Sequence, residues 1–111
     1  MINGFRPCGN LDMNESISIR RSESGSKGRY EARIEGRDGI GELTYSRMSP
    51  TKIIADHTSV DDSLRGLGVG QALVERLVAD ARDQGFRIMP LCPFVKGQYE
   101  RHPEWSDVME T

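Results

Sequence analysis

The chain has 111 residues, 36% of them hydrophobic, and its 15 Lys and Arg against 17 Asp and Glu leave a formal net charge of −2. That length sets one domain with one core, and the near balance of charge excludes a nucleic-acid sheath or a polybasic membrane tether. No apolar run approaches the roughly 20 residues that cross a bilayer, and the N-terminus lacks the charged start and apolar block of a secretory signal, so the expected setting is cytoplasmic, with neither nucleic acid nor membrane as partner.

Residues 1–14 read as a loose leader, and residues 15–111 as a single domain. The two cysteines, Cys8 and Cys92, show no metal-ligand spacing, so no metal is expected, and a disulfide between them is not expected in a reducing cytosol.

Past the leader, SISIRRS (16–22) alternates apolar and polar residues and ends in the turn-forming ESGSKG. RYEARIE (29–35) alternates again and puts Tyr30, Ala32 and Ile34 on one face. The Asp38-Gly39 pair in GRDG is the expected hairpin turn. IGELTYSRM (40–48) is a third strand, with Leu43 and Tyr45 assigned to opposite faces. SPT (49–51) breaks it, and KIIADHTSV (52–60) is a fourth. Short connections between these strands predict an antiparallel meander.

The pattern changes at Asp61. A loop, DDSLRGLGVG, leads into a helix from about Val69 to Gln84, with Val69, Leu73, Leu77 and Ala81 on one stripe beside Val74 and Val78. Gly85 stops the helix. FRIMPLC (86–92) is dense in apolar residues and reads as a strand buried on both faces. Pro90 within it marks the place where hydrogen bonding to one neighbour stops. Strand, helix and strand make a right-handed parallel βαβ unit. Pro93 opens a short helix to about His102, and a further helical turn is expected over Glu104–Met109. The fold class is α+β: an antiparallel meander, a parallel βαβ unit and a short C-terminal helix.

RGLGVG (65–70) is built to hold an anion. Glycines let the chain turn tightly and let backbone N–H groups approach without a Cβ in the way. The helix behind them aims its free N–H groups and positive dipole end at the same spot. Arg65 adds charge-assisted hydrogen bonds. A nucleotide-triphosphate loop needs Lys-Ser/Thr after the last glycine, and here Gln71-Ala72 follows. A dinucleotide fingerprint needs G-x-G-x-x-G, and here Gly66, Gly68 and Gly70 alternate.

VDDSLRGLGVGQALVERLVADAR, with the strand on either side, resembles the acetyl-CoA-binding motif of the Gcn5-related N-acetyltransferase (GNAT) superfamily. The resemblance covers about Lys52 to Pro93, and the preceding meander agrees with the family's order. The tail LCPFVKGQYERHPEWSDVM resembles a compact subgroup of small, single-domain acetyltransferase-like proteins. The chain departs from the family in one respect. Members usually carry helices between the first two strands, which build much of the acceptor pocket, and here only ESGSKG stands there. The resemblance therefore implies an open acceptor side.

What the resemblance implies for the site is specific. Arg65, Gly66, Leu67, Gly68, Val69 and Gly70 would take the pyrophosphate of coenzyme A. The fourth and fifth strands would splay around the pantetheine arm, with Thr58, Ser59 and the Val60 main chain facing it. Acetyl-CoA is the implied co-substrate, and a primary amine the implied acceptor.

Three side chains are candidates for the chemistry. Cys92 would lie level with the coenzyme sulfur, as a nucleophile or as a proton donor to the leaving thiolate. A thiol becomes nucleophilic only when a cation or dipole lowers its pKa, and the helix after Pro93 could supply the dipole; a small buried hydrophobe explains the same residue. His57 could serve as general base for the amine or activate Cys92, and its alternation with Ile53 and Ala55 places it on their face. Tyr99 falls where many family members carry a tyrosine general acid, although a packed aromatic fits the position as well. Glu31 and Glu42 could be acceptor-side carboxylates, or simply solvent-facing strand residues. The rival reading is a non-catalytic acyl-CoA-binding module. The open sheet edge allows a monomer or a homodimer.

Overall fold

The computed structural model describes residues 17–110, so the leader and Cys8 lie outside the described residues. Five strands form one sheet in the order β1-β2-β3-β4-β5. They are β1 (Ile17–Ser24), β2 (Lys27–Ile34), β3 (Ile40–Ser49), β4 (Lys52–Val60) and β5 (Arg87–Pro90). The first four pair antiparallel and β4 pairs parallel with β5. Helix α1 (Val69–Gln84) crosses between β4 and β5, and α2 (Pro93–Arg101) follows β5. The α+β meander and βαβ unit are as expected.

The turns differ from expectation in detail. Ser24 pairs with Lys27, so the first turn closes on Gly25 and Ser26 alone, with Gly25 at φ +61°. The second is not centred on Asp38-Gly39. Arg37 N–H donates to the Ile34 carbonyl at 3.0 Å around Glu35-Gly36, with Gly36 at φ +84°. Gly39 instead lets the chain pass against the loop after β4, since a Cβ there would collide with Asp61 and Ser63.

Alternation sorts the residues of the meander. Tyr30, Ala32, Leu43, Ile53 and Ala55 are fully buried on the inner face, against the α1 stripe of Val69, Leu73, Val74, Leu77, Val78 and Ala81. Leu43 and Tyr45 share this face rather than dividing between two, because residues two apart in a strand point the same way. The outer face carries Arg29, Glu31, Arg33, Glu42 and Thr44, with Arg29 paired to both Glu31 and Glu42.

A polar seam ties the far end of α1 to the sheet. The Tyr30 hydroxyl donates to Asp80 at 2.7 Å, and Arg21 donates to the Tyr45 hydroxyl at 3.0 Å. Asp80 therefore turns toward the sheet, and Arg76 lies over the Tyr30 ring while pairing with Asp80. Burial and the hydrogen bond to Asp80 push the Tyr30 hydroxyl pKa well above the ordinary range. Glu23 accepts from Arg47 at 2.7 Å and from Tyr45 at 2.8 Å.

The Arg47 hydrogen bond is the largest influence holding the Glu23 carboxyl below its usual range; partial burial opposes it, and Tyr45 assists. A carboxylate with a depressed folded pKa contributes stability above its unfolded pKa and loses it as pH falls through the folded value. Stability is therefore expected to drop on acidification below about pH 4.3, the ordinary glutamate value. Glu23→Gln should flatten that part of the pH profile in urea titrations; an unchanged slope would remove Glu23 from the account.

β5 is four residues long and is not buried on both faces as its composition suggested. Ile88 is fully buried, but Arg87 is exposed and Leu91, just beyond the strand, is 62% exposed. Pro90 has no N–H to continue the ladder, and pairing with β4 stops at Ala55–Pro90. On its other side β5 takes a bridge from Met109. A 3-10 turn over Pro103–Asp107 buries Trp105. Ion pairs Arg82–Asp107 at 2.9 Å and Lys52–Glu110 at 2.9 Å hold this tail against the domain.

Candidate functional site

The site is built where β4 gives way to α1. Asp61 accepts from Ser63 N–H at 3.0 Å and opens a 3-10 turn over Asp62–Leu64, whose Leu64 is buried. The chain then needs two left-handed residues, and Gly66 and Gly68 both stand at φ +80°. An L side chain there would cost about 1–2 kcal/mol. Gly68 is also the N-cap of α1 and offers no side chain to the first turn. The N–H groups at that end are therefore left for another acceptor, with the dipole end behind them.

A cleft of about 620 Å³ opens at this point, lined by Thr58, Val60, Arg65, Gly68, Gly70 and Phe94 among others. Its lining combines glycine backbone, Arg65 and Gln71 with the apolar residues Val60, Leu64, Val69 and Phe94. Arg65 is 77% exposed and pairs with Asp62 at 3.0 Å, so its guanidinium can exchange that exposed partner for an anion. Leu67 packs against the core instead of lining the cleft.

The cleft continues along β4 because β5 leaves it. Cys92 N–H donates to the Ala55 carbonyl at 2.9 Å, and from there the chain turns into α2. Beyond Ala55, the edge of β4 has no β5 residue paired to it.

A bulge decides which β4 side chains meet the cleft. Tyr45 pairs with Ala55 but Thr44 pairs with His57, so Asp56 is an extra residue in β4. The alternation shifts by one after it. Thr58 and Val60 join the inner face, opposite Leu43 and Gly41. His57 and Ser59 turn outward, opposite Thr44 and Glu42, and both are exposed. His57 therefore does not share the face of Ile53 and Ala55, and the Ser59 side chain does not face the cleft.

Cys92 is 3% exposed at the N-cap of α2, and its thiol donates to the Thr58 hydroxyl at 3.3 Å. Thr58 itself lines the cleft. The structure thus brings Cys92 to the cleft through Thr58 and separates it from His57 by the thickness of the strand. Tyr99 packs partly buried against the core about two turns along α2 and is not in the cleft lining. Glu31 and Glu42 stand on the outer face, held by Arg29.

Phe94 and Gln71 line the cleft and were not singled out from the sequence. A Pro-Phe pair opening a helix was the available signal for Phe94. A second hollow, of about 530 Å³, lies at the hairpin end of the sheet and includes Ser22, Lys27, Arg29, Thr44 and Asp56. Among the described residues no group of His, Cys, Asp and Glu is arranged to hold a metal ion, and no helix is long and apolar enough to cross a membrane.

Comparison with known proteins agrees with this geometry. Residues 29–108 match the family model of the GCN5-related N-acetyl-transferase. The NMR solution structure of a GCN5-like candidate N-acetyltransferase from Staphylococcus aureus is similar, with a TM-score of 0.64 at 28% identity, over 86% of this chain and 89% of that one. No curated protein matches the sequence. With β3, β4, the glycine loop, α1 and β5 all inside the matched span, the chain belongs to the GCN5-related N-acetyltransferase family.

Proposed function

We propose that the protein is an acetyl-CoA-dependent N-acetyltransferase that acetylates a primary amine in the cytoplasm, working as the single domain of residues 15–111. The observation that carries this reading is the continuity of one cleft, from the uncapped N-terminus of α1 to Thr58 on the unpaired edge of β4. A pyrophosphate fits the first end. A thioester on a long arm fits the second.

In this reading the loop N–H groups and Arg65 hold the pyrophosphate, and the unpaired β4 backbone, with Val60, holds the arm. The amine attacks the thioester carbonyl and forms the C–N bond. The tetrahedral oxyanion collapses with cleavage of the C–S bond. The amine's proton leaves to water or to His57, whose outward position suits an acceptor arriving across the outer face. The departing thiolate takes a proton, and Thr58, backed by the Cys92 thiol, is a side-chain source on the cleft lining.

Direct transfer makes Cys92 dispensable as a nucleophile. Cys92→Ala is expected to keep kcat within about tenfold of wild type, below the usual 10²–10⁴ of a general acid or base. Intact-mass measurement of wild type mixed with acetyl-CoA should show no acetylated protein. A stable acetyl adduct lost in Cys92→Ala would replace direct transfer by a ping-pong route.

A second reading is favoured by one observation. His57 and Cys92 stand on different sides of β4, and Tyr99 lies outside the cleft lining. A module that binds acyl-CoA without turning it over would have that arrangement. Calorimetric titration with coenzyme A, followed by thiol-release assays over a panel of amines, separates the cases. Binding with acceptor-dependent release supports the transferase. Binding without release supports the module. The absence of binding overturns both.

A further inference from the structure

We propose that Phe94 is the wall against which the arm joining pyrophosphate to thioester lies, and that it selects ligands carrying that arm. The inference rests on the acetyl-CoA reading and goes beyond it in assigning this residue. Phe94 stands in the first turn of α2, is 40% exposed, and lines the cleft. Single exposed apolar residues are ordinary on protein surfaces, but this ring has a seat in the structure. It rests on Gly70, where an added Cβ would come within 2.7 Å of the ring Cζ. A side chain at Gly70 would thus displace the ring, whereas Gly66 and Gly68 are required by their left-handed backbone.

Position supplies the rest. The ring touches α1 at its N-terminal end, beside the glycine loop. Its own helix starts immediately after Cys92, which is bonded to Thr58. Phe94 therefore stands between the two ends of the cleft, whose lining also includes the apolar Val60 and Val69. A ligand with an anion on the loop and a reactive group at Thr58 must lay its connecting chain across this ring. A flexible chain of methylenes and amides gains buried apolar contact there, and a stiff aromatic wall restricts it at little entropic cost.

The test compares two ligands on three proteins. Wild type, Phe94→Ala and Phe94→Leu are titrated with coenzyme A and with its phosphoadenosine diphosphate fragment, which keeps the phosphates and lacks the arm. Phe94→Ala is expected to weaken coenzyme A about tenfold, the scale of one large apolar contact, and to change the fragment by less than about twofold. Phe94→Leu should recover most of the loss, and it carries the test if the alanine variant does not fold. Equal weakening of both ligands would show that Phe94 only shapes the loop, and no weakening of either would show that the arm lies elsewhere; each overturns the proposal. A wild type that binds neither ligand overturns the acetyl-CoA reading first, and this inference with it.

Discussion

Gly70→Glu is expected to abolish coenzyme A binding while leaving the domain folded. The residue is the second in α1, where a carboxylate favours the helix through its dipole by about 0.3–1 kcal/mol. Room for the side chain comes at the expense of the Phe94 ring, an exposed group that can swing away. The new charge then occupies the place that the acetyl-CoA reading gives to a pyrophosphate. Two unit charges about 4 Å apart at an effective dielectric near 20 repel by about 4 kcal/mol, and salt removes part of this. A loss of at least about a hundredfold in affinity follows, with little change in Tm. Calorimetry and a thermal melt on the same sample check both halves. Unchanged affinity would place the anion elsewhere; a collapsed Tm would mean that Phe94 cannot yield. Gly70→Ala is the control, since it displaces the ring without adding charge.

Gly28→Ala is expected to cause the largest loss of stability from a single methyl group. Gly28 pairs with Tyr45 across β2 and β3, and a Cβ on it would fall within the Tyr45 ring. That ring cannot move aside. It is 1% exposed, it packs against Tyr30 at 5.8 Å between centroids, and its hydroxyl joins Arg21 to Glu23. Overpacking of this kind costs about 1–3 kcal/mol and occasionally more, and breaking the hydroxyl's bonds adds to it. With about 4–8 °C of Tm per kcal/mol in a domain of this size, a fall of roughly 10–20 °C is expected. A variant that melts within about 2 °C of wild type would mean that the β2–β3 register is not the one described. The double change Gly28→Ala with Tyr45→Leu should recover part of the loss, because it empties the space the methyl group needs.

Both predictions turn on contacts between residues distant in sequence, which local patterns do not encode although they locate the parts. The body of β2, the loop of Gly70 and the helix of Phe94 were each legible, although Gly28 itself read as part of the turn ESGSKG rather than of the strand. Local patterns suffice for them: alternation in the strands, glycines before a stripe at helical spacing, and proline at a helix start. The helical turn of the tail was legible for the same reason. The hairpin turn was misplaced because Asp38-Gly39 is the stronger local signal, while the close approach of Asp61 and Ser63 claims Gly39 for another purpose.

The candidate site divides along the same line. The amino-acid sequence by itself determined an anion-binding loop at the head of a helix, a parallel pair that parts near Pro90, and the family those features resemble. The loop's glycines, the helix and the parting of the strands follow from backbone freedom, periodicity and a missing N–H, which act over a few residues; the anion is the acetyl-CoA reading's. Only the tertiary structure decided which side chains face the cleft. The extra residue at Asp56 is defined by how β4 pairs with β3, not by anything in β4 alone. A shift of one residue reverses every side chain beyond it, so it turned Thr58 and Val60 toward the cleft and His57 and Ser59 away. Cys92 meets Thr58, and Phe94 meets Gly70, for a related reason: each pair joins elements separated by the whole of a strand or a helix, and only the assembled core brings them together.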